Sequence, residues 1–265
     1  SAQYGLEVEV VSEDVGPLIG ALGVVDLTGY TCYRAYITME NEDDFLSSIS
    51  GDAMNPTYVN TTTDFYNAAL GAGVPNGINS LLFPVYPDLA YDSWVTIGSD
   101  NSTGSVDFIG VDFIPFEAGG NLTIDDAVGG TWYILPDLEP TAFPDSEGRV
   151  LLGQFTTDGV VDMTLNLQYR ASSGANIQVT GQTLTFPVVT PGCTDAGACN
   201  YNPAADFDDG SCDFLSCAGC SDQDACNYNP QAVIIDDSLC EYPEDYPNNT
   251  LDCNCNCIND ADQDG

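Results

Sequence analysis

Along the first 190 residues, apolar and polar side chains alternate with a period of two. In "VVDMTLNLQYR", Val161, Met163, Leu165, Leu167 and Tyr169 alternate with Asp162, Thr164, Asn166, Gln168 and Arg170, the pattern of a half-buried strand. "GLEVEVV" sets Leu6, Val8 and Val10 against Glu7 and Glu9. "YTCYRAYITM" puts Tyr33, Ala35, Ile37 and Met39 on one face and Cys32, Arg34 and Tyr36 on the other. Further strands are predicted in "DSWVTIG", "VDFIGVDF", "TWYIL", "RVLLGQF", "NIQVTG" and "QTLTFPV", with Gly, Pro, Asn and Asp between them. One short helix with a threonine cap is predicted in "NTTTDFYNAALGAG", Asn60–Gly73. About ten short strands in roughly 190 residues predict a mostly β unit, an antiparallel β-sandwich with jelly-roll topology as one arrangement of it.

The pattern stops near "VVTPGC", Val188–Cys193. Residues 191–265 hold ten of the eleven cysteines and sixteen acids with no base. The expected organisation is a β-sandwich over 1–190, a Cys/Asp-rich repeat over 191–217, a second over 218–253, and the start of a spacer over 254–265. The repeats read "GCTDAGACNYNPAADFDDGSC" (Gly192–Cys212) and "GCSDQDACNYNPQAVIIDDSLC" (Gly219–Cys240). Cysteines six apart and then thirteen or fourteen apart recur around the same N-Y-N-P turn. So little apolar material cannot hold a fold by burial alone. Cys193, Cys199, Cys212 and Cys217 in the first copy, and Cys220, Cys226, Cys240 and Cys253 in the second, are therefore expected in disulfides. Four cysteines allow three pairings, which spacing does not decide. Closing loops of this size stabilises by about 3 kcal/mol each. Zinc is the rival reading of "CAGC" (Cys217–Cys220) and "CNCNC" (Cys253–Cys257), and framework disulfides explain both with fewer assumptions. Cys32 is expected to be unpaired or bonded outside the repeats.

Charge narrows the function classes. The chain carries 41 acidic residues against three arginines, with no lysine or histidine, for a formal charge of −38. Nucleic-acid phosphate and anionic lipid are repelled. Histidine-based triads and metal sites are excluded. Carboxylate pairs are so abundant that none signals a hydrolase, and no catalytic constellation stands out. In seawater-like salt the screening length falls to roughly 4 Å, relieving the self-repulsion. Bound cations relieve it further. Asp206, Asp208 and Asp209, with Asp236 and Asp237, offer hard oxygen ligands suited to calcium, the competing reading being turn-capping carboxylates that face water. "DADQDG" is the stronger signal. Asp260, Asp262 and Asp264 stand at the spacing of the first half of a calcium loop, with Gly265 at its turn and the distal ligand beyond it.

Dense cysteine implies an oxidising compartment, so a secreted or surface-exposed protein is expected. The opening "SAQ" reads as the end of a cleaved signal peptide. The most apolar stretch, "GPLIGALGVV" (Gly16–Val25), is too short and glycine-rich to span a bilayer. Sequons begin at Asn60, Asn101, Asn121 and Asn248, and glycan is expected on at least one. Trp94 and Trp132 at strand positions predict core packing. A sugar-binding platform is the alternative.

"GCTD…ACNYNP…DDGSC" resembles tandem repeats in long secreted surface proteins of marine Bacteroidota-type bacteria. "YTCYRAYITMENEDDFLSSISGD", "FYNAALGAGVPNGINSLLFPVYPDLAYDSWVTIG" and "VLLGQFTTDG" resemble the β-rich domain that often precedes such repeats, and "INDADQDG" resembles their calcium-loop spacers. Two departures stand out: Cys32 in place of a threonine, and "GPLIGALGVVDLTG" as an insertion after the first strand. The resemblance implies secretion, surface display and adhesive or structural use. The leading expectation is a non-enzymatic protein forming an extracellular filament. The alternative is a carbohydrate-binding or adhesion module of a larger secreted enzyme. Self-association is expected head to tail, Gln3–Val11 leaving its own sheet on the tether Ser12–Gly29 to complete a neighbour's; the competing reading is that this strand pairs within its own chain.

Overall fold

The computed structural model describes residues 4–100, 104–135, 140–188, 190–214, 216–229, 232 and 234–242. These fall into two compact units, one ending at Pro187 and the other beginning at Val188.

The first unit contains strands β1 (Gly5–Ser12), β2 (Gly16–Gly20), β3 (Gly23–Leu27), β4 (Thr31–Thr38), β5 (Phe45–Gly51), β6 (Thr57–Thr61), β7 (Trp94–Val95), β8 (Asp107–Ile109), β9 (Leu122–Ile124), β10 (Gly130–Tyr133), β11 (Arg149–Thr157), β12 (Val161–Arg170) and β13 (Asn176–Phe186). A four-stranded sheet runs β1-β4-β11-β7. A seven-stranded sheet runs β8-β10-β5-β12-β6-β9, with β13 added to β12. All the pairings in these two sheets are antiparallel.

One core joins the two sheets. Tyr33, Ala35 and Ile37 of β4 and Val150, Leu152 and Phe155 of β11 pack with Ile49 of β5, Trp132 of β10 and Met163, Leu165 and Leu167 of β12. The alternation in β12 is the one its sequence predicts. The other face of the four-stranded sheet is covered too. Tyr36 and Leu151 pack there with Ala68, Ile78, Leu89 and Trp94. The covering segment is built of short 3₁₀ turns at Pro75–Gly77, Ser80–Leu82 and Pro87–Tyr91, two of which begin with proline, whose fixed φ suits a first helical position. β11 is therefore buried on both faces along nearly its whole length.

Three expectations are corrected. Asn60–Gly73 holds no helix. Asn60 and Thr61 belong to β6, and Phe65 N–H donates to Gly119 O, Tyr66 N–H to Thr156 O and Ala68 N–H to Asp92 Oδ1. Long-range partners take the donors that a helix would need, so tertiary pairing overrides the local signal. Among the described residues the α-helix is instead one turn, α1 (Ile114–Glu117). The stretches "NIQVTG" and "QTLTFPV" form one strand, β13, whose irregularity lies opposite Leu165 and Leu167. The glycine-rich tether after β1 is an ordered hairpin, β2–β3, with a two-residue turn at Ala21–Leu22. Gly16 and Gly23 have φ of 75° and 120° and so mark its ends rather than a loose chain.

β1 pairs with β4 in its own chain, Leu6 opposite Ile37 and Val8 opposite Ala35. Arg149 fastens it from the outer face. Its guanidinium lies 4.3 Å over the Tyr36 ring and reaches Glu7 and Glu9 at 3.5 and 3.6 Å. Tyr4 and Tyr169 share a hydroxyl–hydroxyl hydrogen bond on the inner side.

Candidate functional site

The second unit is built twice over. Strands β14 (Pro191–Gly192) and β15 (Phe207–Asp208) pair in parallel, as do β16 (Ala218–Gly219) and β17 (Ile234–Ile235). Bridges Cys193–Tyr201 and Cys220–Tyr228 repeat as well. In each copy the first asparagine of N-Y-N-P acts as a clamp. Asn200 Nδ2 donates to Ser211 O and its Oδ1 accepts from Asp213 N–H. Asn227 does the same with Leu239 O and Glu241 N–H. These bonds tie the turn to the residues on either side of Cys212 and Cys240, which explains an asparagine there better than any ligand does.

Disulfides close the frame: Cys193–Cys212, Cys199–Cys217 and Cys220–Cys240. Their sequence separations of 19, 18 and 20 residues are each worth about 3 kcal/mol in the chain-entropy account. Cys217 and Cys220, the pair of "CAGC", belong to different bridges and so do not form a zinc site. Cys226 is also disulfide-bonded. Its counterpart Cys199 bonds Cys217; by correspondence between the copies Cys253, which lies outside the described residues, is the expected partner of Cys226. Non-reducing peptide mapping is expected to recover a Cys226–Cys253 linked peptide. Recovery of Cys226 linked to another cysteine overturns the correspondence.

The repeat aspartates do not converge. Asp206 Oδ2 accepts from Thr190 N–H, Asp208 Oδ1 from Gly210 N–H, and Asp237 Oδ1 from the Ser221 hydroxyl. Asp209 and Asp236 each accept from the amide two residues on, Ser211 and Ser238. The hydroxyls and amides of those serines hold both carboxyls below the usual range. Asp209 thus corresponds to Asp236, and the extra residue of the second copy is taken up between Ser238 and Cys240. Among the described residues no three acidic or thiol side chains are gathered as a metal-ligand set. Asp260, Asp262 and Asp264 lie outside the described residues.

Of the sequons, Asn121 is exposed and its Oδ1 accepts from Thr61 N–H. Asn60 is half-buried within β6. Asn101 and Asn248 lie outside the described residues. Both tryptophans are buried, Trp94 against the 3₁₀ segment and Trp132 in the main core. Neither offers a sugar-stacking face. Cys32 is a free thiol, fully buried.

Two of the three arginines line an open groove of about 410 Å³ with Tyr36, Phe143, Asp145 and Leu151. Their charges are engaged. Arg34 pairs with Asp100 at 3.1 Å and bonds Gln154. Arg149 meets Glu147 and Asp145 as well as the β1 glutamates. The groove is a fastening for the edge strand rather than an anion site.

What sequence reasoning missed is apolar surface. Ile19, Leu22 and Val24 of the β2–β3 hairpin are exposed, as are Phe108, Ile109, Ile114 and Val128 around β8. A signal was present: Val15–Val25 is a run without charge in a chain of formal charge −38. No helix among the described residues is long and apolar enough to cross a membrane. No family model matches the chain, and neither a curated protein nor a solved structure matches it.

Proposed function

We propose that the chain is a non-enzymatic structural and adhesive protein, secreted and displayed at the cell surface, and a subunit of an extracellular filament assembled head to tail. The observation that carries this reading is the duplication of the stapled module, with its ladder pairs, asparagine clamp and disulfides repeated in order. Such units depend on their own bridges rather than on a shared core, so copies can be strung together without redesign. The bridges suit an oxidising exterior. The core shared by the two sheets supports a β-sandwich as the unit that carries them. Calcium at Asp260, Asp262 and Asp264 belongs to the same reading, on the strength of their spacing. The resemblance to bacterial surface repeats points the same way.

Negative-stain microscopy of the full chain, with calcium present and then chelated, tests it. Filaments are the expected result, and monodisperse particles at high protein concentration with calcium overturn it. Calorimetry is expected to show calcium uptake that Asp262→Ala weakens. Equal uptake by both proteins removes that loop from the account.

A further inference from the structure

The seven-stranded sheet ends in β8, and among the described residues no strand pairs with the outer edge of β8. Alternation places Phe108 on the core side with its partner Trp132, and Ile109 on the opposite side with Thr131. A recess opens on each side of this edge. The inner cleft, about 380 Å³, is lined by Val74, Phe108, Val111, Phe113 and Ile114, with Asp112 and Glu117 beside them. The outer recess, about 400 Å³, lies between Ile109, Val128 and the bare backbone of Gly51, Gly110 and Gly130. A free strand edge with an apolar recess on either face is the geometry that accepts an added strand: backbone bonds join the edge and alternate side chains enter the recesses.

The β2–β3 hairpin is the converse shape. Its sheet has two strands only, and among the described residues no strand pairs with the outer edge of β3. Ile19 and Val24 face each other across it, 80% and 65% exposed, and Leu22 at the tip is 69% exposed. The hairpin is held firmly. Ala21 N–H donates to Val85 O at 2.9 Å, and at the base Gly29 N–H donates to Asp14 Oδ1 at 2.8 Å. Among its residues only Leu27 is buried, so core packing does not account for its apolar face.

We propose that the hairpin of one copy docks on the β8 edge of the next, Ile19 and Val24 filling the inner cleft against Phe108 and Phe113. Charge selects this occupant. Copies of formal charge −38 repel each other, and the cleft is itself edged by Asp112 and Glu117. The uncharged run Val15–Val25 reaches such a cleft without adding a like charge to it. Donor and acceptor are different patches of one unit, so the contact is heterologous and propagates into an open fibre rather than closing as a pair. The proposal rests on the filament reading and names its interface.

The test uses the full chain, an Ile19→Asp/Val24→Asp hairpin variant and an Ile114→Asp cleft variant. All three positions are exposed, and unchanged melting curves check the fold. Sedimentation and negative stain are expected to show fibres for the parent chain and, for each variant alone, an assembly concentration raised about tenfold or more. An equimolar mixture of the two variants retains one intact hairpin and one intact cleft, so it is expected to stop at a dimer. Fibres from the parent and from both variants alike overturn this interface and leave the filament reading standing. A parent chain that stays monomeric overturns both. Binding of lipid vesicles or a polysaccharide that is lost in the hairpin variant, without self-association of the parent, overturns the proposal in favour of another occupant.

Discussion

Replacing Asp92 with alanine is expected to destabilise the first unit by about 3–5 kcal/mol, read as a lower urea midpoint. Asp92 is fully buried beneath the 3₁₀ segment. Its Oδ1 accepts from Ala68 N–H at 2.7 Å and its Oδ2 from Ala72 N–H at 2.9 Å. A Cβ on Gly71 would lie 2.2 Å from the Asp92 carboxyl, so the loop is wrapped as tightly round this group as a backbone allows. Removing the carboxylate strands both donors. A loss below about 1 kcal/mol would mean that water or a neighbour replaces it.

The same carboxylate carries a pH signature. Burial pushes its pKa up to about 7, against the two amide bonds that favour the anion, and the charges of Glu117 and Asp88 add to the rise. The folded pKa lies above the unfolded one, so the native state holds a proton that the unfolded chain releases near pH 4. Stability from this group is full below pH 4 and falls as pH rises towards 7, by up to roughly 4 kcal/mol. Asp92→Asn lacks that titration. The stability gap between parent and Asp92→Asn is expected to narrow between pH 4 and 7, whereas repulsion among the other carboxylates acts on both proteins and cancels. A gap that widens over that range contradicts the raised pKa.

Asn166 is the second position of large effect. β12 exchanges one edge partner for another along its length, β6 opposite Val161–Thr164 and β5 opposite Asn166–Arg170. Asn166 sits at the changeover, almost wholly buried. Its Nδ2 lies 2.9 to 3.2 Å from Ser50 O, Asn55 O, Pro56 O and Thr57 Oγ1, and its Oδ1 accepts from Gly181 N–H of β13. One amide thus joins β12 to three other strands, β5, β6 and β13, and to the turn between two of them. Asn166→Ala and the better-filling Asn166→Leu are both expected to cost about 3 kcal/mol, since neither satisfies these groups. If the leucine variant recovers most of the stability, the site matters for its volume and not for its polarity.

The same residues show what was legible in advance. β4 and β12 announced themselves because each presents one face to the core and one elsewhere. β5, "FLSSISG", was missed. It lies inside the sheet between β10 and β12, and Ser47 and Ser48 on its half-buried stretch erase the alternation. The 3₁₀ layer was illegible for another reason: Asp92 holds Ala68 and Ala72, and Gln154 of β11 holds Ala90 and Asp92, across long stretches of chain, and no local pattern records such partners. The repeat module was readable because disulfide framing depends on spacing, which the sequence displays directly. The match of Asp209 to Asp236, 27 residues apart like the cysteines before them, was hidden by aligning the two acidic pairs, and the like bonds to Ser211 and Ser238 reveal it. The hairpin was misread since its glycines suggested freedom, where two of them serve its ends.

Cys32 has a consequence for how the tail acquires its bridges. Seven cysteines of the described repeat residues are disulfide-bonded, and a reactive free thiol would compete for their partners by exchange. The attacking species is the thiolate. Burial pushes the Cys32 thiol up, and the side chain has no solvent exposure once β4 is in place. Domains generally fold as units in order from the N-terminus, so the β unit buries Cys32 ahead of the repeats. Cys32 is thereby withdrawn from exchange while the cysteines of the repeats find their partners.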